Sequence, residues 1–300
     1  MNLEEFAPAK VNLYLHVGPV GLDGYHPVNS LMVFADVGDR VRLTSAPGMS
    51  FAVEGAFAEG LAHDGDNLVT HARDRFLEAG GTGMDPFDLV LDKALPVAAG
   101  LGGGSADAAA TLRLLSRTAA ASGSPAPSAE RVDQIARGLG SDVAACMSRI
   151  PVIAEGRGDR LTPAPRMPEL HAVLVNPGAP SSTANVYRAY DRAAAMATAD
   201  SPAYPAAFAS AEELVGFLKA CRNDLETPAI GLQPRIGDVL AVLARSPEAL
   251  LTRMSGSGAT CFALCAGRSA AEGLARDVAR DHGDWWVTAC RLASTDRPSP

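Results

Sequence analysis

Four glycines fall within five residues, Gly100-Leu-Gly-Gly-Gly104, between an alternating apolar segment and a long alanine-rich one. The alternation of Phe87-Asp-Leu-Val-Leu-Asp-Lys93 predicts a strand, and Ala106 to Ala121 is rich in strong helix formers. A strand that turns through glycines into a helix gathers backbone N–H groups and the positive end of the helix at one place, which suits phosphate oxygens. Glycine serves there because a Cβ would hold an anion away from the amides. A bare turn entering a helix is the plain alternative. The run is not a P-loop, because no lysine stands at the helix start. It is not a dinucleotide fingerprint either, since Ser105 occupies the place of the last glycine and the N-terminal region lacks repeated strand–helix units.

Around this loop the pattern predicts strands over Val11–Val17, Ser30–Phe34, Arg40–Thr44 and Ser50–Val53, with a helix from Asn67 to Ala79 capped by Asp66. Helices follow over Ala129–Leu139 and from Gly140-Ser-Asp142, then a hairpin from Pro151 to Thr162 around Gly156-Arg-Gly158. Thr162-Pro-Ala-Pro-Arg-Met-Pro168 reads as a linker, because proline stiffens a connection and cannot serve a central strand. Beyond it the pattern gives a strand (His171–Val175), helices (Thr183–Met196, Ala211–Ala220, Pro234–Ala244), two strands (Leu250–Met254, Thr260–Leu264) around Ser255-Gly-Ser-Gly258, a helix (Ala270–Arg280) and a last strand (Trp285–Leu292). Strands and helices do not alternate strictly, so an α+β fold is expected rather than a doubly wound sheet. Three hundred residues suit two domains, divided at 162/163.

Composition narrows the function. A net charge of −8 argues against a broad nucleic-acid surface, though not against an anionic small substrate held by a few local cations. No apolar run is long enough to span a membrane, and the acidic start Met1-Asn-Leu-Glu-Glu is unlike a signal peptide, so a cytoplasmic protein is expected. The five cysteines, Cys146, Cys221, Cys261, Cys265 and Cys290, form no zinc set and are expected as buried thiols. Only three of the 26 basic residues are lysines: Lys10, Lys93 and Lys219. Two of these stand beside motifs.

Pro96-Val-Ala-Ala-Gly-Leu-Gly-Gly-Gly-Ser-Ala106 resembles the second motif of the GHMP kinases, named for galactokinase, homoserine kinase, mevalonate kinase and phosphomevalonate kinase. Ala7-Pro-Ala-Lys-Val-Asn-Leu13 and Arg253-Met-Ser-Gly-Ser-Gly-Ala-Thr260 are similar to the first and third motifs, in the right order and across nearly the whole chain. Further blocks, Asp23-Gly-Tyr-His26, Asp66-Asn-Leu68, Gly140-Ser-Asp142 and Asn223-Asp-Leu-Glu226, resemble the branch that acts on a cytidine-diphosphate-linked methylerythritol. Val97-Ala98-Ala99 departs from members that carry more glycine, which should stiffen the first half of the loop.

The resemblance implies a two-domain α+β fold with ATP and substrate in a cleft between domains, and phosphorylation of an alcohol with ATP and Mg²⁺ in isoprenoid precursor synthesis. Asp142 would take the hydroxyl proton and Lys10 would steady the charge of the transferring group. A helix cap is the plain reading of Asp142. Pro96, Val97, Ala98, Ala99, Gly100, Leu101, Gly102, Gly103, Gly104, Ser105 and Ala106, with Asn67 and Lys93, would hold the nucleotide. Asn12, Tyr25, His26 and Tyr187 would hold the substrate, the two tyrosines around its cytosine. The residues suggest no metal ligand. A small-molecule partner and a monomer or weak homodimer are expected, with no nucleic acid and no membrane. Another family member, such as a homoserine kinase, and an inactive binding module are the competing readings; Asp23-Gly-Tyr-His26 opposes the first, and intact Lys10, Asp142 and glycine loop oppose the second.

Overall fold

Two long strands begin the chain. In the computed structural model, which describes residues 2–59, 61, 67–192 and 198–292, β1 (Asn2–Val17) and β2 (Val28–Ser45) are followed by β3 (Ser50–Glu54), α1 (Leu68–Glu78) and β4 (Phe87–Asp92). Three helices and a hairpin come next: α2 (Gly103–Ser122), α3 (Ala129–Leu139), α4 (Ser141–Ser148), β5 (Val152–Gly156) and β6 (Arg160–Pro163). The remainder is β7 (Leu170–Asn176), α5 (Thr183–Arg192), α6 (Ala211–Lys219), α7 (Glu226–Leu232), α8 (Arg235–Ala244), β8 (Ala249–Met254), β9 (Cys261–Cys265), α9 (Arg268–Asp281) and β10 (Trp286–Leu292). The fold is α+β.

The chain forms two compact units that interleave in sequence. The first contains residues 1–9, 38–95 and 102–149, and the second contains 10–37, 96–101 and 150–300. The sequence reading drew a single boundary at 162/163. The interleaving arises because β1 changes unit after Ala9 and β2 after Val37. The stretch read as a linker runs inside the second unit, where Ala164 and Met167 are buried.

In the first unit β4 pairs antiparallel with Arg40–Ser45 of β2 and parallel with β3. Its alternate residues Phe87, Leu89 and Leu91 are buried, as a strand with one covered face requires. Helix α2 packs on α1 and α4 and is buried along Ala106, Ala108–Ala110, Leu112, Leu114 and Leu115. Small alanines let its neighbours approach closely. The buried Glu5 carboxylate is bound by Arg113 (2.8 Å), Arg117 (2.7 Å) and Arg149 (3.1 Å), tying β1 to α2 and to the end of α4.

In the second unit Val28–Met32 of β2 pairs with β5, β10 meets β2 at Leu292–Ala35, and the order continues β10-β7-β9-β8, all antiparallel. Val173, Val175, Cys261 and Ala263 project into a core shared with Val186, Ile236, Val239, Leu243, Leu274 and Val278 from the helices. All five cysteines are buried free thiols.

Three differences from the sequence reading have physical causes. β1 starts nine residues before Val11 and β2 is one strand rather than two; Pro8 and Gly38, residue types that read as strand breaks, lie inside them. α7 was not expected. Pro228 and Gly231 disguise it, yet Pro228 occupies the first turn, where no helical bond needs its missing N–H. Asn67 caps α1 by accepting from the Val69 N–H at 2.9 Å, while the expected cap Asp66, like Met196 at the expected end of α5, lies outside the described residues.

Candidate functional site

Within the second unit the three motifs meet. Lys10 is buried on β1, and its Nζ donates to Asn12 Oδ1 at 2.9 Å. The Asn12 amide in turn donates through Nδ2 to Ser30 Oγ (2.7 Å), and its backbone N–H donates to Ser255 Oγ (3.1 Å). Ser255 Oγ donates to the Gly100 carbonyl at 3.0 Å, while Lys10 N–H donates to the Leu101 carbonyl at 2.8 Å. Gly100 needs to be glycine twice over. Its φ is +75°, and a Cβ would lie 2.3 Å from the Ser255 carbonyl oxygen. The third motif is itself braced: Asn223 Nδ2 donates to the carbonyls of Met254 and Gly256, both at 2.8 Å, and Arg253 donates to those of Leu13, Leu218 and Cys221. Ala98 has a φ of +51°, a left-handed conformation that disfavours a side chain by about 1 kcal/mol.

In the first unit, Gly103, Gly104 and Ser105 are not loop but the first turn of α2, three residues earlier than the propensity pattern placed its start. The first helical bond runs from Ala106 N–H to the Gly102 carbonyl (2.8 Å), and Gly102 offers no side chain to cap the turn. The N–H groups of residues 103–105 therefore precede the helical ladder, which is the arrangement an anion requires. Leu68, next to Asn67, lies 3.7 Å from where a Gly104 Cβ would stand.

Lys93 directly follows β4 and is buried inside this unit. Its Nζ donates to Asp39 Oδ2 (2.5 Å) and Asp107 Oδ2 (3.0 Å), and all three side chains are less than 5% exposed. The other Asp39 oxygen accepts from the N–H groups of Ala94 (2.7 Å) and Leu95 (2.8 Å). Burial drives the Asp107 carboxyl well above the usual carboxylate range, more than the Lys93 ammonium can offset, and the nearby Asp39 adds to the rise. The two acids hold the ammonium more firmly protonated than usual despite its burial.

Asp142 is the second residue of α4 and half-buried. Gly140 is the N-cap and makes no side-chain cap bond, so the capping explanation of Asp142 does not apply. Its carboxylate lies in the first turn of the helix.

Of the substrate candidates, His26 has both ring nitrogens engaged: Nδ1 with the Gly18 carbonyl (2.9 Å) and Nε2 with Asp191 Oδ1 (3.2 Å). Its ring packs against Tyr187 (5.0 Å between centroids) and edge-on to Tyr190 (5.7 Å). Tyr25 is 56% exposed in a turn closed by Gly21, with the Arg157 guanidinium 4.5 Å from its ring centre.

Residues 67–149 match the GHMP kinases N terminal domain and residues 207–284 the GHMP kinases C terminal domain. A 4-diphosphocytidyl-2-C-methyl-D-erythritol kinase of Caulobacter vibrioides is 55% identical over 98% of this chain and 100% of its own length. The chain belongs to the GHMP kinase family. The enzyme of that same name from Hyphomonas neptunium is 43% identical over 98% of this chain and 97% of its own. A crystal structure of 4-(cytidine 5'-diphospho)-2C-methyl-D-erythritol kinase superposes with a TM-score of 0.74 at 31% identity, covering 97% of this chain and 100% of that one. A mevalonate kinase of L. major, solved in complex with R-mevalonate, shares the fold at a TM-score of 0.66 and 14% identity, covering 98% of this chain and 97% of that one.

For a GHMP kinase the sequence reading missed Asp39 and Asp107. Asp107 left one trace, a charge inside the buried run Ala106-Asp-Ala-Ala-Ala110, whereas Gly38-Asp39 passed for a turn between two strands. Among the described residues no three His, Cys, Asp or Glu side chains converge on a metal position. The acidic pair beside the glycine turn already encloses the Lys93 ammonium, so these residues do not fit a preformed Mg²⁺ cage.

Proposed function

We propose that this GHMP kinase transfers the γ-phosphoryl group of ATP to the 2-hydroxyl of 4-diphosphocytidyl-2-C-methyl-D-erythritol, a step of the methylerythritol phosphate route to isoprenoid precursors. The observation that carries this reading is the 55% identity, over all of the relative's length, to a kinase bearing that substrate's name. The intact set of Lys10, Asn12, the glycine turn and Asp142 supports it.

The chemistry follows from the side chains. The substrate hydroxyl gives its proton to the Asp142 carboxylate as its oxygen bonds to the γ-phosphorus, and the bond to the β,γ-bridging oxygen breaks to release ADP. The Lys10 ammonium stabilises the negative charge on the transferring oxygens, and Asn12 fixes its direction through the 2.9 Å hydrogen bond. The N–H groups of Gly103, Gly104 and Ser105 bind nucleotide phosphate, with residues Pro96–Leu101, Ala106, Asn67 and Lys93 shaping the nucleotide site. Mg²⁺ would arrive bound to the nucleotide rather than to a protein cage, and would supply positive charge to its phosphates. Tyr25 and Tyr187 flank the cytosine, with His26 beside it as a packing partner of Tyr187. The enzyme acts in the cytoplasm as a monomer or weak homodimer; among the described residues no helix is long and apolar enough to cross a membrane.

The test is ADP release with MgATP and a panel of acceptors: the cytidine substrate, its uridine analogue, homoserine and mevalonate. Turnover requiring the cytidine substrate, with the uridine analogue at least about tenfold poorer, is expected, because a buried edge built for cytosine leaves polar groups unpaired with uracil. Faster turnover of homoserine or mevalonate would overturn the assignment.

A further inference from the structure

The Asp39–Lys93–Asp107 cluster lies directly behind the glycine turn. A Cβ on Gly103 would stand 3.1 Å from Lys93 Nζ and 3.5 Å from Asp39 Oδ2. The cluster joins β2, the end of β4 and the first turns of α2, so its geometry is handed straight to the amides of residues 103–105. Three features go unused by the proposed reaction. The Lys93 ammonium is turned inward to two carboxylates rather than outward to a ligand. Two acids share one cation in a dry site, one negative charge too many for a region that cannot solvate it. Asp107 Oδ1 is fully buried with no hydrogen-bond partner, a poor place for half of a carboxylate charge.

We propose that Asp39, Lys93 and Asp107 form a neutral buried strut carrying one shared proton, and that Asp39 and Asp107 are positioning residues which set the glycine-turn amides for nucleotide phosphate. Asp39 is the ionised member, since it accepts three donors: Lys93 Nζ and the N–H groups of Ala94 and Leu95. Asp107 is the carboxylic acid, and burial together with the adjacent Asp39 raises its proton affinity. The strut deepens the nucleotide reading of the glycine turn and rests on it. It also assigns Lys93 an indirect role: the side chain shapes the nucleotide site from behind and does not touch the phosphates.

Two measurements on the full chain test this. In ¹³C NMR with labelled aspartate, one carboxyl resonance should hold the shift of a protonated acid at neutral pH and vanish in Asp107→Asn. A wild-type spectrum in which every aspartate is ionised at neutral pH overturns the shared proton. In steady-state kinetics, Asp107→Ala and Asp39→Asn should each raise KM for ATP about tenfold or more with little change in KM for the alcohol, whereas Asp107→Asn, isosteric with the neutral acid, should restore KM for ATP to within about threefold. Equal damage from Asp107→Asn and Asp107→Ala, or losses confined to the alcohol KM, overturns the positioning role. Absence of ATP binding to the wild type would instead defeat the nucleotide reading, and the carboxyl resonance would still decide the proton.

Discussion

The ammonium of Lys10 donates to the side-chain oxygen of Asn12, 2.9 Å away and two residues along the same strand. Residues at i and i+2 of a strand face the same way, so β1 presents both side chains to one side and lets one orient the other. Lys10→Ala should lower kcat by about 10²-fold or more, since a charge aimed at the developing transition state is lost, with smaller changes in KM. Parallel measurement of both constants decides the matter. A rise in KM alone would reassign Lys10 to substrate binding.

Asp142→Asn keeps the shape of the side chain in the first turn of α4 and leaves the N-cap, Gly140, untouched. The rate should fall by about 10²–10⁴ while substrate affinity changes little. The check is a turnover number beside a binding isotherm on the same preparation. Full turnover in a folded variant would take the proton-accepting role away from Asp142.

The arginine cluster on Glu5 makes a stability prediction. Glu5→Gln leaves Arg113, a mostly buried guanidinium, without its charge partner. Breaking a buried pair costs about 3–5 kcal/mol. Arg117 and Arg149 are about half exposed and can turn to water, which places this variant near the lower end of that range. Equilibrium denaturation should show it, with catalysis by the remaining folded enzyme preserved.

A pH effect should come from His16. Its Nδ1 donates to the Asp200 carbonyl (2.8 Å), Nε2 accepts the Arg222 N–H (3.3 Å), and burial holds its pKa below the ordinary 6.5. Between that lower folded value and 6.5 the unfolded chain binds more protons, so stability is fully present above about pH 6.5 and is lost as the pH falls through the folded pKa. Denaturation midpoints measured from neutral to mildly acid pH should decline, and His16→Asn should flatten that slope. An unchanged slope would move the acid sensitivity elsewhere.

What the sequence revealed and what it hid follow from the range of the interactions. The glycine run, the Lys10–Asn12 spacing and the Arg253–Thr260 turn were legible because each is local, and their order along the chain pointed to the family. The α2 start was misplaced because propensity disfavours glycine in a helix, whereas Gly103 and Gly104 are kept for their amides. Asp39 and Lys93 were harder. Their pairing joins residues 54 apart, and no spacing rule foretells which strand will lie beside which. His26 read as a base-recognising side chain from its neighbours in sequence, and only the fold brought Asp191 to its second nitrogen.

The bond from the Asn12 backbone to Ser255 spans 243 residues. A ribosome makes Lys10 and Asn12 long before the serine that locks them, so in the interval this part of the site has no wall. Contacts of such separation are slow to close, and the segments awaiting them stay exposed meanwhile. Chains released before Ser255 would carry the first two motifs complete and still lack the turn that joins them. Closure of the first motif against the third thus waits on the synthesis of Ser255.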